Sequence, residues 1–465
     1  MSISIYSIVL CGCASEVKPI NLASYKPSQH VIVDKAELLN PNISLDLSEN
    51  EANTMKTVKS LEGPKKSKPI MNHMIHESSV AVVGDMMFHN TQLFRAYNYE
   101  TKSFDFSGIF KYMEPYLKAN DLTFGNLETT LHGPYGSETS ASDNNFYGYS
   151  GYPEFNTPDA VLEPILSAGF DFLSTANNHS LDKRYNGMIR TIEQLDIAGI
   201  KHTGTFLSIN ERKPFELVET NGITFAVVNY TYATNGIYLS EENMKLINTL
   251  DLYQEENIEN LYRDIEAAKM SEADFVICMM HYGNEYWKVE DNRYQKPLTL
   301  EVIKRGADIV FGGHPHTLEP IDIIYQVDDL VFDQPKVIIY SLGNFIASQR
   351  NISNYNAPTD LGVMFNVYFE TIDQRNPKIT GIGFLPTYTI WQSDVIATMP
   401  VTEDLSLLSD NNLDINDYTY SSWDKSRIEE AEKYVVDHLM QYVYSKEIVG
   451  EVYNDKGIYR FDILD

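Results

Sequence analysis

Short apolar runs that end on polar clusters are the dominant pattern of this chain. Val80–Val83 ends on Gly84-Asp85, and Leu122 and Phe124 lead to Gly125-Asn126-Leu127-Glu128. Phe170–Leu173 leads to a longer polar stretch, Ser174–Asp182, which contains Asn178-His179. Further on, Phe275–Met280 delivers His281-Tyr282-Gly283, and Asp308–Phe311 delivers Gly312-Gly313-His314-Pro315-His316. Lys336–Tyr340 delivers Ser341-Leu342-Gly343-Asn344-Phe345. Short continuous apolar runs read as strands buried on both faces, as in a parallel sheet. Between them lie stretches of helical periodicity: Ile109–Lys118, Asp159–Ala168, Arg184–Ala198, the charged Glu241–Lys269, and Gln295–Arg305. Pro158, Gly199 and Gly306 supply start and stop signals for three of these. Phe215–Val218 and Thr224–Val228 read as successive strands. Val363–Glu370 and Ile379–Thr387 alternate and read as antiparallel strands closing the core. Ser426–Tyr444 reads as a helix with charged positions on its outer face.

Repeated strand–helix units build a sheet whose strand C-termini converge on one edge, where α/β folds place their chemistry. Five such ends carry Asp85, Asn126 with Glu128, Asn178 with His179, His281, and His314 with His316. Asn126 and Glu128, two apart on an extended segment, point to the same side. Pro315 restricts the backbone between His314 and His316 and fixes their relative aim. Mixed oxygen and nitrogen donors suit Mn, Fe or Zn better than Ca, and this many ligands allows one or two ions.

The flanks read differently. Met1–Ala14 is short and mostly apolar, and Leu10-Cys11-Gly12-Cys13 resembles a lipoprotein signal with Cys13 as the lipidated residue, although no Lys or Arg precedes it. The reading is therefore a signal segment over 1–13, a flexible breaker-rich linker over 14–78, a folded domain over 79–400 and a helical C-terminal appendage over 401–465. His132–Pro153, rich in Gly, Ser, Tyr and Asn, reads as a long surface loop whose tyrosines could line a polymer or peptide groove.

Composition narrows the function. The 465 residues carry 65 acidic against 36 basic side chains, a formal net charge of -29. No nucleic-acid partner fits, because phosphate backbones need a basic surface. The acidic field favours cations and opposes a polyanion unless metal or a local basic patch offsets it. Of three cysteines, Cys278 lies in an apolar strand and Cys11 and Cys13 lie near residue 1, so no disulfide framework follows.

In this order, Gly-Asp, Gly-Asn-Leu-Glu, Ala-Asn-Asn-His, His-Tyr-Gly, Gly-His-Pro-His and Ser-Leu-Gly-Asn-Phe resemble the CapA family of capsule and poly-γ-glutamate synthesis proteins. These are relatives of the calcineurin-like metallophosphoesterases. The resemblance runs from Val80 to Leu385 and implies an α/β fold, a four-layer α/β/β/α sandwich of the metallophosphoesterase type. It implies metal ligands at Asp85, Glu128, Asn178, His281, His314 and His316, with His179 as acid or phosphoryl contact. Asn126, Arg184, Tyr282 and Asn344 are candidates for substrate contact or for support of the ligands. Two departures stand out: Asp85-Met86-Met87 replaces Asp-x-His, with His89 displaced, and Asn126/Glu128 replaces a bridging Asp. CapA-type sequences share both, so phosphatase activity does not follow from the resemblance. The Leu10–Cys13 pattern adds the expectation of a lipid-anchored protein on the extracellular face of the cell membrane, and the resemblance places it beside an acidic polymer or its synthase complex. It would be a metal-dependent hydrolase or a non-catalytic assembly subunit.

Overall fold

The structure, a computed structural model, describes residues 75–463 apart from 137–140, 143–144, 251–254, 351–356, 373–374, 418–419 and 444–448. The strand Ile75–Met86 is central to a ten-stranded sheet. On one side it pairs in parallel with Leu122–Leu127, followed by Phe172–Ser174 and Lys201–Thr203. On its other side, antiparallel strands Leu361–Ile372, Arg375–Trp391, Ile458–Ile463 and Val449–Asp455 follow. Asn344–Ile346 and Ile396–Pro400 pair onto this sheet as well. The second sheet has six strands, with Ile223–Thr231, Phe275–His281, Ile309–Gly313 and Leu330–Ile339 parallel at its centre. Glu216–Thr220 and Ile321–Val327 close its edges as antiparallel hairpin partners.

Alternation along these strands explains the layering. Phe225, Val227, Phe275, Ile277 and Phe311 point to the larger sheet. There Phe369 meets Phe225 and Phe275 at ring separations of 5.2 and 4.9 Å, and Phe365 meets Phe311 at 6.3 Å. Their neighbours Ala226, Val228, Val276, Cys278 and Met280 point the other way, into Leu261 and Ile265 of helix Glu255–Lys269 and Leu298 and Val302 of helix Gln295–Arg305. A strand buried on both faces has to be apolar at both parities, which is why these runs are continuous rather than alternating. Helices Leu162–Ser167 and Arg184–Ala198 cover the outer face of the larger sheet, with Ile165 and Leu195 in its apolar cluster. The result is the expected four-layer α/β/β/α sandwich.

Several elements differ from the sequence reading. Residues 75–79 already pair with 368–372, so the linker expected over 14–78 overlaps the first strand. Within Ile109–Lys118 only Glu114–Leu117 is α-helical, because Pro115 fits only the first turn of a helix. The stretch Glu241–Lys269 is two helices, Glu241–Met244 and Glu255–Lys269. Between them Leu246, Ile247 and Leu250 are buried, and Asn248 N–H donates to the Gly204 carbonyl. The region 401–465 holds the expected helix, Ser422–Val443, but also the two strands that extend the larger sheet. Cys11, Cys13 and the rest of 1–74 lie outside the described residues.

Strand register delivers the polar clusters to one edge. Asn344, Asp85, Asn126 and Ser174 stand in one row across the larger sheet. Thr231, His281 and Gly313 stand in a second row across the smaller one.

Candidate metal centre

Asp85 is fully buried where these rows face each other. Its Oδ1 accepts from Asn126 Nδ2 at 2.8 Å, and its Oδ2 accepts from the His314 amide at 3.1 Å. His316 Nδ1 lies 3.1 Å from the same Oδ2 and 3.0 Å from Asn344 Oδ1. Both neighbours are acceptors, so Nδ1 carries the proton and Nε2 is left for another partner. Asn344 Nδ2 donates in turn to the Thr359 carbonyl at 2.8 Å, which fixes its oxygen towards His316. Burial alone would raise the Asp85 pKa, but the His316 hydrogen bond, the His281 and His316 charges and the Asn126 amide hold it far below the usual range. Burial works against a charged His316, yet its hydrogen bond to Asp85 and that carboxylate's charge raise its pKa.

His281 sits between the two sheets. Its Nε2 is 2.9 Å from Asn178 Oδ1, and its Nδ1 is 3.2 Å from Asn126 Nδ2. Burial, with His316 and His179 adding, lowers its pKa to about 3 against the pull of Asp85. The His314 ring packs 5.0 Å from the His281 ring and 4.3 Å from Tyr232. Burial, then His281 and His316, keep it neutral. His314 and His316 both have positive φ, 97° and 58°, so the His-Pro-His turn holds backbone strain. Gly313 must be glycine, since a Cβ there would stand 2.6 Å from Asp85 Oδ1.

Glu128 decides what the cluster can bind. It is fully buried, and neither carboxylate oxygen has a hydrogen-bond partner among the described residues. Its nearest basic atom is His281 Nε2 at 3.6 Å. Burial, then the charges of Asp85, Glu285 and Asp182, push its pKa well above the ordinary value. A buried carboxylate without donors needs a proton or a cation. His314 Nδ1 is likewise buried and unpartnered among the described residues. Asp85, Glu128 and His281 offer one set of converging donors, and Glu285, His314 and His316 offer a second, each within 4.8 Å. Imidazoles, carboxylates and the Asn178 amide oxygen fit a borderline divalent ion, and two sets fit a pair.

The stretch Ser174–Asp182 borders this centre. His179 Nδ1 lies 2.7 Å from Asp182 Oδ2, which also accepts from the Phe155 amide at 2.6 Å. Phe155 meets the His179 ring edge-on at 4.7 Å. Asn229 ties the stretch to the second sheet: its Oδ1 accepts from Ala176 N at 2.7 Å and its Nδ2 donates to the Met279 carbonyl at 2.9 Å. Asn235 Oδ1 accepts from Asn178 Nδ2 at 3.0 Å and so aims the Asn178 oxygen at His281.

Two sequence candidates fall outside. Tyr282 follows His281 on an extended strand, so its side chain points to the opposite face, where its hydroxyl meets Thr299 Oγ1 at 2.5 Å. Arg184 is half-exposed on the rim and donates to Glu154 at 3.1 Å and to the Asp182 carbonyl at 3.0 Å. The sequence reading also missed Glu285, Asn229 and Asn235. Glu285 follows His281 by four residues in a turn, which is its only signal; the asparagines act through the meeting of two sheets, which no local pattern reports. In the His132–Pro153 loop, Tyr147 and Tyr149 line a cleft of about 650 Å³ with Tyr97, Tyr99 and Lys102.

A two-sheet sandwich pooling acids, amides and imidazoles at its strand ends is an α/β protein built around a candidate divalent-metal centre. More narrowly, residues 79–349 match the bacterial capsule synthesis protein PGA_cap family, over half the chain, and the chain belongs to that family. It is similar to the PGA biosynthesis protein CapA of Bacillus subtilis, 26% identical over 272 residues, which is 58% of this chain and 63% of that one. It is also similar to the capsule biosynthesis protein CapA of Bacillus anthracis, 26% identical over 288 residues, 60% of this chain and 62% of that one. The match thus spans less than two thirds of either relative. Among solved structures it is similar to the calcineurin-like phosphoesterase YfkN of Bacillus subtilis, with 11% identity, 78% of this chain and 99% of that chain covered, and a TM-score of 0.33. That likeness is too remote to bear on the site.

Proposed function

We propose that this chain is a component of capsule or poly-γ-glutamate synthesis or export that works on an acidic polymer beside its synthase. Asp85, Glu128, Asn178, His281, His314 and His316 hold one or two divalent ions, with Glu285 as a further ligand. The observation that carries the site is Glu128, a buried carboxylate with no hydrogen-bond donor among the described residues and with His281 3.6 Å away. Bound ions would supply Lewis-acid polarisation of an ester or amide oxygen. The chain's own groups do the rest. Asp182 accepts a hydrogen bond from His179 Nδ1–H and fixes the ring, which leaves Nε2 to exchange a proton with substrate. Phe155 shields that ring from water. Asn126 and Asn344 orient Asp85 and His316.

The test is metal content of the purified chain by mass spectrometry after dialysis. About one or two equivalents of Mn, Fe or Zn are expected. No bound metal, even after reconstitution, removes the centre. A second reading, a surface hydrolase of phosphoesters or amide bonds, is favoured by the His179–Asp182 pair; turnover of a phosphodiester or γ-glutamyl amide that His179→Ala abolishes would establish it. We also propose anchoring through Cys13 at the extracellular face of the cell membrane, which rests on the Leu10–Cys13 pattern. Cys13→Ser is expected to release the chain from the membrane fraction, and retention rules the anchor out.

A further inference from the structure

A polyanion is an awkward partner for a chain of net charge -29, so its landing place has to be a local exception. One such exception lies where the long strand Arg375–Trp391 ends. The Arg350 guanidinium carbon is 4.4 Å from the centre of the Trp391 ring and 4.9 Å from that of Trp423. The Arg95 guanidinium carbon is 5.2 Å from the same Trp391 ring. Two cations thus share one indole. Among the described residues their counter-charges are few. Asp424 Oδ1 is 3.7 Å from Arg350 Nη2 and also accepts from the Tyr388 hydroxyl at 2.6 Å, and Asp424 Oδ2 accepts from Ser421. Arg95 donates to neutral carbonyls, Gln392 at 2.7 Å and Thr91 at 3.0 Å; burial and then the Arg350 charge work against its own charge, and among the described acids exposed Asp394 favours it.

The hydrogen-bond balance at this spot is one-sided. Trp391 Nε1, Arg350 Nε and Gln392 Nε2 are all buried and all lack an acceptor among the described residues. Three unmatched donors beside two guanidiniums call for acceptor atoms carrying negative charge. The place is also connected to the metal centre. Arg95 lies in the last turn of helix Asn90–Ala96, whose N-cap is His89. His89 Nδ1 accepts from the Ser348 amide at 3.2 Å, and Ser348 contacts Thr91 at 2.6 Å and Gln92 at 2.9 Å. Asn344, which holds His316, and Arg350 are therefore ends of one segment lying along that helix. At 1.5 Å rise per residue, His89 and Arg95 are about 9 Å apart along its axis.

We propose that Arg95, Arg350 and Trp391 form a carboxylate-binding subsite for the acidic polymer, placed to hold one unit of the chain while another reaches the metal centre. The identity of the ligand rests on the function proposed above. Guanidinium forks match carboxylates in two-point hydrogen bonds, and the indole face keeps both forks in place. The competing role is a clip, with Arg350 pinning helix Ser422–Val443 through Trp423.

The experiment uses the full chain with Trp287→Phe, which leaves Trp391 and Trp423 as the reporters among three tryptophans. The probes are a synthetic γ-linked glutamate pentamer and the same pentamer with its α-carboxylates amidated. Saturable quenching by the acidic pentamer alone is expected, with Arg95→Gln and Arg350→Gln each weakening binding about tenfold. Metal content should not change in either variant. Arg350→Gln can also loosen the C-terminal helix, so Arg95→Gln, which does not touch Trp423, carries the decision. Calorimetric binding of the pentamer that Arg95→Gln leaves unchanged overturns the subsite and leaves the polymer function standing. Equal binding of the amidated pentamer overturns the subsite too, and no binding of either overturns both.

Discussion

At the scale of residues, two carboxylates a few ångströms from His281 behave in opposite ways. Asp85 has donors on both oxygens and stays ionised; Glu128 has none among the described residues. For Glu128 the folded pKa is raised, so the ion-free fold binds more protons there than the unfolded chain and loses that stability as pH rises through the raised value. A cation bound there would replace the proton, and binding would then release it. The gap in melting temperature between metal-loaded and metal-free protein is therefore expected to widen from about pH 5 to about pH 8. A gap that stays constant or shrinks would take Glu128 out of the ligand set. His281→Ala and His314→Ala are each expected to lower metal occupancy about tenfold or more with the circular-dichroism spectrum retained. Full occupancy in both would mean that the ion sits elsewhere. Gly313→Ala should do the same by displacing Asp85 without removing any ligand.

Much of this was legible locally. His314-Pro315-His316 announces two aimed imidazoles, and Gly84-Asp85 and Asn178-His179 follow apolar runs that fold as read. Glu285 was not legible because an exposed acid in a turn looks like solvated surface until His314 and His316 are seen beside it. Tyr282 was misplaced for a simpler reason: strand parity sends alternate residues to opposite faces, and only one parity faces the site.

At the scale of elements, the site depends on two sheets meeting face to face. Phe369 is the wedge, touching Phe225 and Phe275 across the gap. Phe369→Ala is expected to cost about 3–5 kcal/mol, read from chemical denaturation. A loss below about 1 kcal/mol would show that the gap collapses around the missing ring. Asn229 is the polar counterpart: Asn229→Ala should leave the global fold in place yet free the Ser174–Asp182 stretch, seen as faster amide exchange at Ala176, while Thr175 keeps its bond to the Thr203 carbonyl. Helices Arg184–Ala198 and Gln295–Arg305 matched their sequence boundaries because glycines terminate both. Ile109–Lys118 failed because its periodicity ignored Pro115. The strands Val449–Asp455 and Ile458–Ile463 gave no clear apolar run, since they sit at the sheet edge with charged residues such as Arg460 and Asp462 among them.

At the scale of the whole molecule, the candidate ligands come from distant parts of the chain. His316 and Asp85, 3.1 Å apart, are separated by 231 residues, and the Asn178–His281 contact spans 103. The cluster does not exist in any fragment that lacks one of the sheets. During synthesis nothing can select an ion until the chain has been made past Asn344, the residue that sets His316. A chain that crosses a membrane unfolded carries none of this centre with it. An ion bound at this centre would then be chosen by whichever compartment the sandwich closes in, from the metals free on that side.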